Sequence, residues 1–433
     1  MPESSGGMSS QSVAMLSGSI MKVVTFNVKY SPNLGDGVIA ECLEAELGRR
    51  VPDVGIEALD LAGRTDRDGR ARSGRRVFAL KALQMMPAIL RDVSVEAILR
   101  LQMRRKCRPA WREALRDADL AIVGGGQLIQ DGDLNFPVKL SIVAAECKRN
   151  NVPIALFGLG VAESRSGRGE RLISSLLHAD QLVFAGVRDG DSAKRLRQRR
   201  VKGVVVTPDP GLMASQVWPS IVRRQRKRPV IGVGITHPVI LQHHGEGKSD
   251  DATIMDLYRS LIRRLLASGY DVTCFSNGAQ EDRTCLDRIV DSFHDDDGLS
   301  RAPDCRTPRE LAELVGSFDA VIAHRLHACI LAYSYRVAHV GLSWDSKLAA
   351  FFANVGRSRY LVEFSGDAVQ IMPELLAAAR AETICDVQHK RVLALTEASI
   401  DSLVRLLKGE TRPKHIERSE QALNAMCLGK VRA

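Results

Sequence analysis

Aromatic residues are scarce: Phe, Trp and Tyr together make up 5% of the 433 residues. Proteins that hold single-stranded nucleic acid need exposed rings on which bases stack, so no nucleic acid partner is expected. Long apolar runs are missing too. Stretches such as Val152 to Val161 are broken by glycine and fall well below the roughly 20 residues of a membrane-spanning helix. Cysteines are scattered, at 42, 107, 147, 274, 285, 305, 329, 385 and 427, and no two have CxxC spacing. That excludes the usual zinc-site and dithiol patterns, and no metal is expected. An odd count in largely apolar contexts reads as free thiols in a reducing compartment, and the chain is expected to be cytoplasmic. The opening twenty residues, MPESSGGMSSQSVAMLSGSI, have neither a basic start nor a sustained apolar stretch. They do not read as a signal peptide; residues 1–20 are expected to be a disordered tail, with Met1 and Met21 as alternative starts. No strand is followed by GxGxxG and no GK[ST] loop is present, which argues against an NAD-dependent dehydrogenase and a P-loop nucleotide site.

What is present is ordinary globular material, 45% hydrophobic and 26% charged, enough for two domains. The formal net charge is +10, which favours anionic partners. Much of the excess is local. Between Arg64 and Arg116 the basic residues are Arg64, Arg67, Arg70, Arg72, Arg75, Arg76, Lys81, Arg91, Arg100, Arg104, Arg105, Lys106, Arg108, Arg112 and Arg116, against far fewer acids. Such a run is most often a solvated face; its functional reading is contact with an acidic membrane surface or a lipid-diphosphate acceptor.

Strand and helix patterns alternate along almost the whole chain, the α/β signature. Apolar strands are expected at Lys22–Val28, Ile56–Leu61, Leu120–Val123, Pro153–Phe157, Leu182–Val187 and Val204–Val206. After a basic, proline-containing stretch a second set follows, at Val230–Ile235, Asp271–Ser276, Ala320–Ala323, Ala338–Leu342 and Tyr360–Val362. The division is thus an N-terminal Rossmann-like domain over 21–210 with a basic insertion near 62–118, a linker over 211–229, a C-terminal Rossmann-like domain over 230–410, and a mobile basic tail over 411–433. Helices from Met372 to about Leu407 are expected to pack back across both domains. Two such domains facing across a cleft make a GT-B-like layout. In parallel sheets ligands bind beyond the carboxyl ends of the strands, so strand-end residues are the candidates.

Several strand ends carry chemistry. Asn33-Leu34-Gly35-Asp36 follows the first strand, with Asp36 read alternatively as a helix cap. Gly124-Gly125-Gly126 can turn amide N–H groups toward an anion. Arg188-Asp189 closes a buried strand and suits two-pronged binding of carboxylate or phosphate. His324-Arg325-Leu326-His327 joins a buried strand to an apolar helix, at a helix start that favours anions. Asp345 and Lys347 stand at the next strand end, where a lysine opposes the helix dipole unless an anion joins it. His237, His243 and His244 read as part of a solvated loop.

In content and order these elements resemble the polysaccharide pyruvyl transferase family over roughly residues 22–365. The resemblance runs through Asn33-Leu34-Gly35-Asp36, Gly124-Gly125-Gly126, Gly158-Leu159-Gly160, Arg188-Asp189 with Ser192, and Asp209-Pro210. It continues through Ser276-Asn277-Gly278 with Glu281-Asp282, then His324 to Ala328, then Asp345 and Lys347. It implies a GT-B-like fold and transfer of pyruvate from phosphoenolpyruvate to a sugar, as a ketal, with release of phosphate. No cofactor is implied beyond phosphoenolpyruvate as co-substrate. It also implies that Arg188, Arg325, Leu326, His327 and Lys347 bind the donor, that Arg188, Arg325 and His327 act in catalysis with His327 as general acid, and that Asn33, Gly35, Asp36, Gly124, Gly125, Gly126 and Asp345 reach the cleft. The acceptor is expected to be a lipid-linked or nucleotide-linked sugar of an exopolysaccharide or cell-wall glycan precursor, met at the inner membrane face with peripheral contact through the 64–116 segment. Two other readings stay open: a nucleotide-sugar-dependent GT-B glycosyltransferase, and a non-catalytic anion- or nucleic-acid-binding protein driven by the basic stretch.

Overall fold

The computed structural model describes residues 21–67, 88–131, 134–163, 166–219, 226–244, 251–293 and 297–410. Both expected tails, residues 68–87 of the basic insertion and residues 220–225 of the expected linker lie outside the described residues.

Two parallel sheets of six strands each form the frame. In the first, β1 (Lys22–Asn27), β2 (Gly55–Asp60), β3 (Leu120–Gly124), β4 (Ile154–Leu159), β5 (Leu182–Val187) and β6 (Val204–Val206) stand in the order β2-β1-β3-β4-β5-β6. The second contains β7 (Val230–Gly234), β8 (Asp271–Phe275), β9 (Leu299–Arg301), β10 (Ala320–Ala323), β11 (Ala338–Ser343) and β12 (Leu361–Glu363). Its order is β12-β11-β10-β7-β8-β9. The reason is visible in the sequence. Every residue of β3, β4, β7 and β10 is buried, as central parallel strands covered on both faces by helices require. The strand order reverses between β1 and β3 and between β7 and β10. At such switch points the connections diverge to opposite faces and leave a crevice beyond the carboxyl ends.

Three local findings differ from the sequence reading. The first helix runs Leu34–Arg50, so Gly35 and Asp36 lie inside its first turn and Asn33 holds the cap position, without a side-chain cap bond. Residues Pro238–His244 form a helix where a loop was expected. β9 was not foreseen: it is three residues long, its first residue half-buried and the next two exposed, and it presents no apolar alternation.

The two halves interlock. Leu34, Val38 and Cys42 of the first helix belong to the apolar core around the C-terminal sheet. Reciprocally, Ile400, Leu403, Val404 and Leu407 of the last helix, Asp386–Leu407, pack with Val23, Leu120 and Phe157 of the N-terminal sheet. The stretch that follows β6 is anchored as well. The Ser215 N–H donates to Ser334 Oγ at 3.0 Å, and the Tyr335 hydroxyl donates to the Ala214 carbonyl at 3.1 Å.

Candidate active site

The expected residues gather where the two switch points face each other. The first helix begins beyond β1, and the helix Leu326–Ser334 begins beyond β10. His327, in the first turn of that second helix, lays its ring over the backbone of Gly35. A Cβ placed on Gly35 would overlap the imidazole, so glycine is required there by close approach and not by its backbone angle. His327 Nε2 lies 3.5 Å from Asp209 Oδ2. Asp209 is buried and its Oδ1 accepts the Gly211 N–H at 2.9 Å. Burial alone would raise its carboxyl. The nearness of His327, with Arg188 behind it, prevails and holds it below the ordinary range.

The same plan recurs at each cation of the cleft. Arg325 donates from Nε and Nη2 to one oxygen of Asp282, at 3.0 and 2.6 Å. The other oxygen of Asp282, which is fully buried, accepts the His237 backbone N–H at 2.9 Å. Arg188 lies at the end of β5 with Nε 3.6 Å from Asp189 Oδ2. Asp189 caps the next helix by accepting the Ser192 N–H at 2.7 Å. Lys347 Nζ is 3.4 Å from Asp345 Oδ2, and Asp345 caps its own helix through the Leu348 N–H at 3.0 Å. Each cation is therefore held by a carboxylate that a backbone amide holds in turn. A charged side chain so restrained loses little freedom when a ligand arrives.

Electrostatic coupling joins the two sides. Burial pulls the Lys347 ammonium below its usual range; Asp345 opposes this, while Arg188 reinforces it from the N-terminal domain. Burial likewise raises the Asp36 carboxyl, against the influence of His327, the Ser31 hydroxyl, Arg325 and Arg64. Asp36 therefore faces both residues of the second switch point. Gly126 is beside it: a Cβ there would sit 3.7 Å from Asp36 Oδ1. Gly125 and Gly126 adopt positive φ, 81° and 77°. The Gly125 N–H is already used, by the Phe157 carbonyl at 3.3 Å, so the triple glycine links the ends of β3 and β4 and is not an open row of amides. Gly160 makes room for Arg188, whose Nη2 would be 2.6 Å from a Cβ at that position.

His324 stands apart from its neighbour three residues on. It is fully buried, hydrogen-bonded through Nδ1 to the Tyr258 hydroxyl at 2.8 Å, and set edge-on to Tyr258 and Phe364. Burial, aided by Arg325, lowers its pKa to about 3, so it is a neutral structural ring. Its carbonyl accepts the Trp344 indole N–H at 2.7 Å.

Three partners were not singled out from sequence as site residues: Asp209, Asp282 and Asn277. All three stood within motif strings, Asp209-Pro210, Glu281-Asp282 and Ser276-Asn277-Gly278, but a single sequence does not say what they meet. Asn277 is 2% exposed, and neither end of its amide has a hydrogen-bond partner. Its carbonyl accepts the Leu34 N–H at 2.8 Å, a backbone bond between the two halves at the cleft. Asn33 Oδ1 is likewise buried without a partner. Among the described residues no three of His, Cys, Asp and Glu gather as a metal site, and no helix is long and apolar enough to cross a membrane.

The sequence model of polysaccharide pyruvyl transferases matches residues 33–346. The chain belongs to this family. The match takes in Asn33, Arg188, Asp209, Asp282, Arg325, His327 and Asp345, and ends one residue before Lys347. Among solved structures it is similar in fold to UDP-GlcNAc 2-epimerase from Neisseria meningitidis bound to UDP-GlcNAc, at 13% identity over 90% of this chain and 100% of that one, TM-score 0.51. A putative UDP-N-acetylglucosamine 2-epimerase from Listeria monocytogenes aligns at 9% identity over 86% of this chain and 95% of that one, TM-score 0.51. At these identities the likeness concerns the fold, which is GT-B: two Rossmann-like domains across a cleft. No curated protein matches the sequence. For a pyruvyl transferase of this fold the arrangement offers fixed cations from both domains and a histidine 3.5 Å from a buried carboxylate. The unpartnered side-chain oxygen of Asn33 and amide of Asn277 border it.

Proposed function

We propose that this pyruvyl transferase takes pyruvate from phosphoenolpyruvate and places it as a ketal on two hydroxyls of a sugar in an exopolysaccharide or cell-wall glycan precursor. The observation that carries the reading is the convergence, in a member of this family, of His327 and Arg188 on Asp209, of His327 and Arg325 on Asp36, and of Arg188 and Asp36 on Lys347. Phosphoenolpyruvate bears a carboxylate and a phosphate, and a desolvated site for it needs several pre-oriented positive groups. The lowered Lys347 fits an ammonium waiting for an anion, because a bound phosphate would restore its charged form.

Protonated His327 donates its proton to the terminal carbon of the enol, leaving an oxocarbenium centre at the adjacent carbon. Asp209 stabilises the imidazolium before transfer, as a carboxylate behind a histidine does. A sugar hydroxyl adds to that centre and its proton passes to Asp36, which burial makes a stronger base than an ordinary carboxylate. The bond to the phosphate oxygen then breaks, phosphate leaves with the positive groups of Arg188, Arg325 and Lys347 around it, and the second hydroxyl closes the ketal. Proton count balances: two hydroxyl protons are released, one remains as the new methyl hydrogen, and one leaves with phosphate. The acceptor sugar is carried by a lipid or a nucleotide, and the reaction runs on the cytoplasmic face of the membrane.

Calorimetric titration with phosphoenolpyruvate, UDP-glucose and GDP-mannose tests this, repeated on Arg325→Ala. Phosphoenolpyruvate binding that the substitution abolishes is the expected result. A nucleotide sugar bound in its place, with phosphoenolpyruvate ignored, would overturn the proposal in favour of a glycosyltransferase.

A further inference from the structure

The helix Ala88–Lys106 is apolar on two opposite sides. Met103 is buried and Val95 and Leu99 pack against the same N-terminal core; with spacings of four they form the inward stripe. Val93, Ile98 and Leu101 point away from it and are 43%, 46% and 50% exposed. A single stripe would have buried the helix adequately. The second one is out of proportion to the rest of the surface: of six exposed large apolar side chains among the described residues, three lie on this helix.

The outward stripe changes character along its length. Arg104 and Arg105 follow Leu101 by three and four residues and so continue the same face. Both are exposed, as are Arg100 and Lys106. Acidic neighbours are largely spent: Glu96 is bound by Arg100 and Arg168, and Glu146, buried, is bound by Arg108 and Arg112. Arg168 lies in the first turn of the helix Gly167–Leu177, and its bond to Glu96 ties the middle of the helix Ala88–Lys106 to that turn.

We infer that this helix is a docking element that lies flat on a bilayer rich in anionic phospholipid, with Val93, Ile98 and Leu101 inserted among the acyl chains and Arg104 and Arg105 at the headgroups. An apolar stripe that runs into a basic cluster is the composition of interfacial helices. Exposed apolar residues distinguish it from a merely solvated basic face, which has no use for them. A soluble acidic partner is matched by the charges alone; the acyl chains account for both features. This inference goes beyond the proposed reaction and stands without it.

The test is co-sedimentation of the full chain with vesicles of phosphatidylcholine containing phosphatidylglycerol and with vesicles of phosphatidylcholine alone. Preferential binding to the anionic vesicles is expected. The pair Ile98→Glu and Leu101→Glu should weaken it at least tenfold, because each places a charge where an apolar group enters lipid. Arg104→Ser and Arg105→Ser should each weaken it about fivefold, and the loss should deepen with salt. These side chains are exposed, so melting temperatures should stay unchanged, which separates lost docking from lost folding. Equal binding to both vesicle types, or none, would overturn the inference. So would anionic binding that the two glutamates leave intact, or that heparin competes away completely, since the surface would then be only a polyanion site.

Discussion

The two sides of the cleft contribute unlike things. On the N-terminal side the backbone comes close: Gly35, Gly126 and Gly160 mark places where side chains approach the chain itself. On the C-terminal side, the first turns beyond β10 and β11 supply Arg325, His327 and Lys347. Arg188 and the carboxylates Asp36 and Asp209 are the exceptions that the N-terminal side offers in return. One half thus shapes the space and tunes the other's groups, while the other half provides most of the charge. Function resides in the fit between them, so disturbing either half should silence a site whose remaining residues are intact.

The largest expected effect follows removal of the group at the centre. His327→Ala should lower turnover by roughly 10²–10⁴-fold, the usual contribution of a positioned acid, while the fold persists. Steady-state kinetics with phosphoenolpyruvate and an accepted glycan precursor would check it, and unchanged turnover would remove His327 from the acid role. Asp282→Ala attacks the same side through its support. It leaves the Arg325 guanidinium and the His237 N–H without their shared carboxylate, and breaking a buried ion pair typically costs about 3–5 kcal/mol. Denaturant unfolding should show that loss together with weakened donor binding.

The C-terminal side should also be the acid-sensitive one. Burial lowers both His324 and His339 to about 3. Because their folded pKa values lie below the unfolded value near 6.5, the unfolded chain takes up the protons first. Stability is therefore complete above about pH 6.5 and is lost progressively as pH falls from there toward 3. For two such residues the loss between pH 7.5 and 5 should be about 4 kcal/mol, and His339→Asn should remove about half of it in unfolding titrations.

A smaller effect sharpens the role of close approach. Gly35→Ala drives a methyl group into the His327 ring, which should cost about 1–3 kcal/mol as overpacking and displace the acid from Asp209. Gly48→Ala in the same helix meets nothing within 4 Å and should stabilise by about 0.5–1 kcal/mol. Thermal melts and turnover of the two variants, compared directly, separate helix propensity from cleft geometry.

Much of this frame could be read from the chain itself. Strands such as AIVG and AVIA announce themselves because a central parallel strand tolerates only apolar residues, and the glycines and charged residues at their ends mark the cleft. β9 escaped because an exposed three-residue edge strand carries no pattern. The first helix was begun too late because Gly35 and Gly37 resemble a turn; only contact with His327 explains glycine within a helix there. The four cations were legible as residue types at strand ends. Asp189 and Asp345 stand beside Arg188 and Lys347 in the chain, but the pairing of Arg325 with Asp282, or of His327 with Asp209, was not legible, because it is a property of strand order. Nor does HRLH reveal that its two histidines part, one into the core against Tyr258 and one into the cleft.

The interlocked cores carry a mechanical consequence. Each half is pinned into the other at a separate place, the first helix in the C-terminal core and the last helix on the N-terminal sheet, and the Leu34–Asn277 backbone bond adds a third tie at the rim. Any change in the width of the aperture must therefore shear apolar contacts of the first helix or of the last helix, or break the Leu34–Asn277 bond.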